Sequence, residues 1–272
     1  MSQASVPPPL VTGLPMLGRP PVLVTGAAGT LGRDVVAELQ RSQVPVRALA
    51  HTSEPPEGVV TAPGDLTTGV GLAEAVTDIG AVIHCATGES VDVDGTRRLA
   101  DACAAQGVRL VHVSIVGCWD NPLPYYRTKA QSETEVVASG APHAIVRATQ
   151  FHSLVRTLFG PRHGVSVSSR GLRAAPCDTA WVARVLVDVA LEDRLPVEPI
   201  ELAGPEVLTA REIAVLTAHV TGEPLRRHLQ VPAVGGIMRA FARGSNLPGP
   251  GARRGGRTYA AWLAAQTGAA RS

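Results

Sequence analysis

The chain has 272 residues and a mass of 28.2 kDa, with 45% hydrophobic and 18% charged residues. That composition supports a sizeable core and excludes wholesale disorder, and the length suits one larger α/β domain or a domain with a small appended lobe. The 25 basic side chains nearly cancel the 23 acidic ones, for a net charge of +2, which gives no electrostatic mandate for nucleic acid or an anionic membrane. Within the basic count one residue stands apart, because 24 are arginine and the only lysine is Lys129.

In chain order, residues 1–20 carry Pro7, Pro8, Pro9, Pro15 and Pro20 without apolar periodicity and read as a disordered tail. No basic segment followed by an apolar stretch opens the chain, and no apolar run reaches the roughly 18 residues of a membrane span. The expectation is a cytoplasmic protein. Residues 22–25 form a short apolar strand, and residues 31–41 place Leu31, Val35, Val36 and Leu39 at helical spacing. Further strands are predicted at 44–50, 58–61, 81–85, 109–114 and 144–147, with helices at 71–77, 95–105 and 125–139. This alternation implies an α/β fold, a Rossmann-type doubly wound parallel sheet, with the nucleotide-binding core over residues 21–150.

Beyond residue 150 the rhythm loosens. A helix is predicted at 178–192, a strand at 200–202, and a helix at 209–221 that opens with a capping box, Thr209 with Glu212. Residues 243–257 read as a flexible loop and 258–266 as a closing helix. Residues 151–272 are expected to complete the fold and form a small C-terminal substrate lobe. Cys85, Cys103, Cys118 and Cys177 lack C-x-x-C or paired-His spacing, so they read as reduced, buried thiols and not as a metal site.

Gly26, Gly29 and Gly32 stand as G-x-x-G-x-x-G between a strand and a helix. Glycine permits the tight turn and the close approach of backbone to a pyrophosphate, whose charge then sits at a helix N-terminus. Gly26, Ala28, Gly29, Thr30, Leu31, Gly32 and Arg33 are therefore the candidate cofactor loop. An NAD site wants an acid at the end of the second strand for the ribose 2′-hydroxyl. Here that strand ends at His51, with no carboxylate before Glu54. Arg33 and His51, with Arg47 behind them, could meet a 2′-phosphate instead, so NADP(H) is expected over NAD(H).

Tyr125 and Lys129 are four residues apart, so on a helix they share a face. The chemistry that wants this pair is proton transfer accompanying hydride transfer at a carbonyl, with a cation stabilising the phenolate. With three tyrosines and one lysine in the chain, chance spacing is a poor account of the pair, and arginine would not replace the lysine. Ser114 ends the preceding strand on the ligand-binding edge, where its hydroxyl could bond a substrate oxygen. Tyr126 turns about 100° away from the Tyr125 face and reads as a packing residue or pocket wall.

These stretches resemble the short-chain dehydrogenase/reductase superfamily, most closely its atypical or extended branch of NmrA-like proteins and NAD(P)-binding proteins labelled epimerases. The resemblance rests on residues 24–33, 64–66, 82–86, 93–96, 111–117, 125–129, 147–151, 203–206 and 258–263. It implies a Ser114–Tyr125–Lys129 centre, Lys129 also contacting the cofactor, Asp65 and Leu66 near the adenine, and Cys85, Ala86 and Thr87 lining the cofactor. Two features depart from the pattern: Asp92 or Asp94 stands where an asparagine is common, and His51 stands where many relatives have arginine.

Five of the nine aromatic residues lie between positions 119 and 159. Trp119, Phe151, His152, Phe159 and Trp181 are the candidate substrate contacts, with core packing the alternative for each. The expected function is an NADP(H)-dependent reductase or dehydrogenase on a carbonyl or quinone of a small, apolar metabolite. A redox-neutral epimerase, dehydratase or cyclase is the alternative, using Arg239, Arg243, Arg253, Arg254 or Arg257 for a diphosphate. A non-catalytic NAD(P)-sensing protein is a third reading, which the Tyr125–Lys129 pair disfavours. The expected partner is a small molecule, with no nucleic acid and no membrane, and the resemblance allows a homodimer through helices 95–105 and 125–139.

Overall fold

The computed structural model describes residues 19–50, 56–160, 166–225 and 227–269. The elements run β1 (Val22–Thr25), α1 (Thr30–Arg41), β2 (Val46–Ala50), β3 (Val60–Pro63), α2 (Leu72–Ala75) and β4 (Ala81–His84). A π-helical turn (Val91–Gly95) leads into α3 (Thr96–Gln106), β5 (Arg109–Ile115), α4 (Pro124–Ala138) and β6 (His143–Ala148). The second half contributes α5 (His152–Phe159), β7 (Ser166–Ser169), β8 (Arg173–Ala174), α6 (Thr179–Leu191), β9 (Ile200–Ala203) and β10 (Leu208–Thr209). Then follow α7 (Ala210–Thr221), β11 (His228–Val231), α8 (Gly235–Ala242), β12 (Arg253–Arg254) and α9 (Tyr259–Ala269).

Eight strands form one sheet in the order β12-β9-β6-β5-β4-β1-β2-β3, and every pairing in it is parallel. The direction of winding reverses between β1 and β4, which makes a crevice at the carboxyl ends of those strands. One face packs on α1 and α6 through Val24, Ile83, Val111, Val146, Leu39 and Leu186. On the other face, Leu23, Val82 and Leu110 meet Leu72, Leu99 and Val136 of α2, α3 and α4. That second face changes character along the strands. Its amino-terminal half is aliphatic, whereas its carboxyl-terminal half presents Thr25, His84, His112 and Ser114, all buried.

A smaller cluster joins α5, α7 and α9 through Val155, Ile213, Tyr259 and Leu263. The Thr209–Glu212 capping box is present. The segment 243–257 corrects the flexible-loop expectation, because β12 extends the sheet beside β9 and remote groups hold the rest. The Asn246 amide donates to the Arg173 carbonyl at 2.8 Å, and the Gly249 N–H donates to Glu201 at 2.7 Å. Arg257 donates from Nε and Nη2 to the Asp178 carboxylate at 2.6 and 3.0 Å. Asp178 also N-caps α6 by accepting from Ala180 N–H. Asp178→Ala removes the cap and the two-pronged ion pair together, and an urea titration should show a loss of about 2–4 kcal/mol.

Candidate functional site

The glycine loop is built by close contacts. Gly26 has φ of +66°, and a Cβ there would lie 2.7 Å from Ala86 N; at Gly32 a Cβ would lie 2.1 Å from the Gly26 carbonyl. Both positions exclude a side chain on packing grounds alone. Gly29 differs, because a Cβ there would meet only the Gly26 oxygen, at 3.2 Å. The space beyond Gly29 is open and faces the start of α1, whose first turn carries no acid. A phosphate fits this charge and shape, since first-turn N–H groups lack helical partners and the dipole favours an anion. Arg33 is exposed at this lip, with its Nε donating to the Ala28 carbonyl at 2.8 Å.

Other cofactor candidates sit on the same edge. Asp65 closes an Asx turn, accepting from Thr67 N–H at 2.7 Å and Thr68 hydroxyl at 3.0 Å. Leu66 is buried in the core behind it. His51 lies outside the described residues. Arg47 does not belong to the site: it is the second residue of β2 and donates to the Thr77 carbonyl at 3.0 Å, near the opposite ends of the strands. Cys85, Ala86 and Thr87 follow β4 across the crevice, and burial pushes the Cys85 thiol up to about 12, the Lys129 charge opposing weakly.

Lys129 is the centre of this edge. Its ammonium lies 2.7 Å from Asp92 Oδ1, and both side chains are only 5% exposed. The same carboxylate accepts from the Thr87 hydroxyl at 2.9 and 3.0 Å and from Gly88 N–H at 3.2 Å. Asp92 is thus the acid that the sequence left open between positions 92 and 94; Asp94 faces Arg97 in solvent.

Beneath the pair the hydrogen bonds assign a tautomer to His84. Thr96 donates its only hydroxyl proton to the Asp92 and Val91 carbonyls, at 2.9 and 3.3 Å, so His84 Nε2–H donates to Thr96 Oγ1 at 2.9 Å. The Thr25 hydroxyl then donates to His84 Nδ1 at 2.6 Å while accepting from Ala86 N–H at 3.2 Å. The chain of bonds ties the end of β1 to the turn that carries Asp92. His84 is held neutral, its pKa pushed down to about 3 by burial and then by the Lys129 charge, with Asp92 opposing. Burial depresses His112 as well, aided by His84 and Lys129.

Tyr125 stands at the start of α4 and is 45% exposed. The structure therefore places a half-exposed phenol one helical turn from a buried, paired ammonium. Ser114 does not join them. Its hydroxyl donates to the Cys118 sulfur at 3.9 Å, and no hydrogen bond links it to Tyr125 or Lys129 among the described residues. Glu133 is the residue that sequence reasoning missed. It is buried on α4 one turn beyond Lys129 and accepts from Arg147 Nε and Nη2 at 2.9 and 2.6 Å, from Trp119 Nε1 at 2.7 Å and from the Cys118 thiol at 3.3 Å. Burial works against its charge, but the Arg147, Ser114 and Trp119 hydrogen bonds outweigh it and hold the carboxyl below its ordinary range.

Of the five expected substrate contacts Trp119 is the most exposed, at 59%, and it lines a pocket with Arg127, Gln131 and Thr134, on the face of α4 away from Tyr125 and Lys129. Phe151 and Trp181 pack against the main core and Phe159 against the C-terminal cluster. His152 is buried between Tyr259 and Trp262, with Nε2 donating to the Arg257 carbonyl at 3.1 Å. All four thus take part in packing, the alternative expected for each, with Phe151, Phe159 and Trp181 only partly buried. Tyr126 packs edge-on against Phe241, as its direction on the helix implied. Arg257 is committed to Asp178, and Arg254 donates to the Gly204 carbonyl at 3.3 Å, which removes two arginines from the diphosphate set.

The family described as NAD(P)H-binding matches residues 26–193, more than half of the chain, and the protein belongs to that family. The chain is 32% identical over 226 residues to (4-alkanoyl-5-oxo-2,5-dihydrofuran-3-yl)methyl phosphate reductase of Streptomyces griseus, covering 75% of each. It is 28% identical over 220 residues to the chloroplastic protein High Chlorophyll Fluorescence Phenotype 244 of Arabidopsis thaliana, matching 74% of this chain and 56% of that one. The chain thus spans little more than half the length of that plant relative. Its fold is similar to that of an NADPH-dependent quinone oxidoreductase of Escherichia coli solved with NADPH, with a TM-score of 0.75 at 16% identity over 90% of this chain and 99% of the other. The expected resemblance is borne out at this level: the chain is an NAD(P)H-binding family member, and the proteins it is similar to include reductases. No helix among the described residues is long and apolar enough to cross a membrane.

The buried imidazoles set an acid limit on stability. Their folded pKa values lie below the unfolded one, near 6.5, so unfolding takes up protons as soon as pH falls below it. Stability present above pH 6.5 is then lost progressively towards pH 3. Chemical denaturation between pH 7 and 5 should show a decline of about 1.4 kcal/mol per pH unit for each such histidine once below that value. A flat profile over that range would show that the imidazoles take up protons in the fold as readily as in the unfolded chain.

Proposed function

We propose that the protein is an NADP(H)-dependent reductase acting on a ketone, quinone or related carbonyl of a small metabolite. The observation that carries the reading is the placement of Tyr125 one turn from the sole lysine, whose ammonium is buried beside the β4 edge of the crevice. The nicotinamide, when bound, supplies or accepts the hydride. The chain's own residues do the rest. The glycine loop and the N-terminus of α1 hold the pyrophosphate, and Asp65 and the 85–87 segment flank the adenine and nicotinamide ends.

Tyr125 exchanges the proton at the substrate oxygen through its phenolic Oη, and Lys129 stabilises the phenolate and bonds the nicotinamide ribose. Ser114 serves this site at one remove, donating to the Cys118 thiol that in turn donates to Glu133. The reductase names of the Streptomyces relative and of the Escherichia coli structure support the same direction of chemistry.

Preference for the 2′-phosphate rests on Arg33, whose guanidinium is exposed with Nη1 and Nη2 beyond the Ala28 bond. Arg33→Ala should weaken NADPH binding roughly tenfold and leave NADH binding nearly unchanged by fluorescence titration. Equal losses for both cofactors would assign Arg33 to the loop alone. Tyr125→Phe should lower NADPH-dependent turnover over a carbonyl panel by about a hundredfold or more while the affinity for NADPH stays close to wild type. Undiminished turnover in that variant would remove Tyr125 from the reaction.

A further inference from the structure

The small net charge, on which the expectation of no membrane partner rested, conceals a segregated one. Residues 151–177 and 224–272 hold 12 arginines and no carboxylate, whereas the rest of the chain carries 13 basic and 23 acidic side chains. We infer that the face built by β7, β11 and α8, within the acid-free part, is a surface that settles on an anionic lipid bilayer. β7 and β11 form a two-stranded sheet of their own, in which Val167 pairs with Leu229 and Ser169 with Val231. The period of two puts Val167, Leu229 and Val231 on one face. These three and Val234, just before α8, are each 44% exposed or more. The opposite face is turned inward, since Ser168 is buried and its hydroxyl lies 2.9 Å from His228 Nε2.

Arginines rim these aliphatic side chains. Arg170 follows β7, and its backbone N–H donates to the Val231 carbonyl at 2.8 Å. A Cβ at Gly171 would lie 3.2 Å from the Ala242 carbonyl oxygen, and one at Gly244 would lie 3.8 Å from Arg173 Nη2, so the turn 170–173 is seated on the end of α8. α8 itself adds Arg239 and, at its cap, Arg243. All four arginines are exposed, and no side-chain hydrogen bond or ion pair engages them among the described residues. Each guanidinium is free to hold a lipid phosphate while its stem follows the apolar surface. The acids that border this face are few. Asp120 and Glu135 line, with Arg127 and Arg243, the groove between α8 and α4, and Glu223 stands 3.6 Å from Arg156.

Neither feature alone selects the partner, but together they do. Exposed aliphatic side chains gain from leaving water, and each guanidinium near an anionic layer adds about fivefold in partition. A bilayer of anionic lipid offers both gains at one plane. A nucleic acid is served by rings that stack on bases, whereas the exposed apolar side chains of this face are aliphatic. A two-fold contact with a second copy would set arginine against arginine. The face also adjoins the start of α4, because Phe241 of α8 packs on Tyr126 with ring centroids 5.7 Å apart.

The test is flotation of the full chain at low salt with vesicles of equimolar phosphatidylcholine and phosphatidylglycerol, and with vesicles of phosphatidylcholine alone. Wild type should float with the first and stay soluble beside the second. Arg170→Gln/Arg173→Gln should weaken partition about twentyfold, and Leu229→Ser/Val231→Ser about fivefold or more, each with the circular dichroism of wild type. Should the serine variant fail to fold, Leu229→Ala/Val231→Ala reads the same loss at about threefold. Wild type left behind by the anionic vesicles, equal flotation with both kinds, or undiminished partition in either variant overturns the inference. Self-association without lipid that Leu229→Ser/Val231→Ser abolishes, read by sedimentation velocity, would assign the face to a second copy instead. Duplex DNA bound more tightly than the anionic vesicles, and equally by wild type and that variant, would assign it to nucleic acid.

Discussion

The buried contact between Lys129 and Asp92 constrains everything around it. Taking an ammonium and a carboxylate out of water costs several kcal/mol for each ion, and their attraction offsets that only with close geometry and satisfied hydrogen bonds. Both conditions are met: the two charges touch, and Thr87 and Gly88 complete the carboxylate. The neighbours must then stay uncharged. His84 and His112, with ring centroids 5.4 Å apart, would add two cations beside an ammonium if protonated, and burial together with that field prevents it. The neutral His84 can then bridge Thr25 and Thr96, which locks the ends of β1 and β4 to the π-helical turn.

The same helix carries a second buried charge of opposite sign. Glu133 reaches Arg147 on β6 and Trp119 in the loop after β5, while Lys129 reaches the turn before α3. α4 is therefore pinned by two ion pairs, one to the turn before α3 and one, a turn further from its N-terminus, to the sheet. What they hold in place is the first turn, where Tyr125 projects into solvent. In the role proposed for Tyr125, a proton donor that must meet a diffusing substrate is exposed by necessity, and its precision would come from the rigidity of the helix beneath it.

The parallel sheet was legible because strands covered on both faces read as short apolar runs between helices of 3.6-residue period. The glycine loop and the Tyr125–Lys129 pair were legible because each is contiguous in sequence. What stayed hidden depends on remote partners. His152 and Phe159 looked like pocket walls, since a local cluster of aromatics does not declare that α7 and α9 will cover it. β12 and the Arg257–Asp178 pair lie in a stretch whose glycines, prolines and arginines carry no periodicity. Glu133 resembled any solvated helix charge, yet two signals marked it: its i+8 spacing from Tyr125 through Lys129, and Arg147 standing inside an otherwise apolar strand that needed a counter-charge.

The placement of these charges argues for chemistry more than for stability. On the same face of the sheet, Leu23, Val82 and Leu110 pack against aliphatic side chains towards the amino ends of the strands, so an apolar solution fits this layer. Replacing a buried ion pair by apolar groups of similar volume is commonly neutral or stabilising. The carboxyl-terminal half nevertheless carries Thr25, His84, His112 and Ser114 from the sheet, with Lys129, Ser132 and Glu133 from α4. The polar half begins where the strands turn toward the glycine loop and the crevice, and it ends with Val136, where α4 rejoins the aliphatic core. A helix held mainly by hydrogen bonds over its first turns and by hydrocarbon over its far end has its buried polar groups at the crevice, which is where the proposed reductase would handle a redox cofactor and a proton.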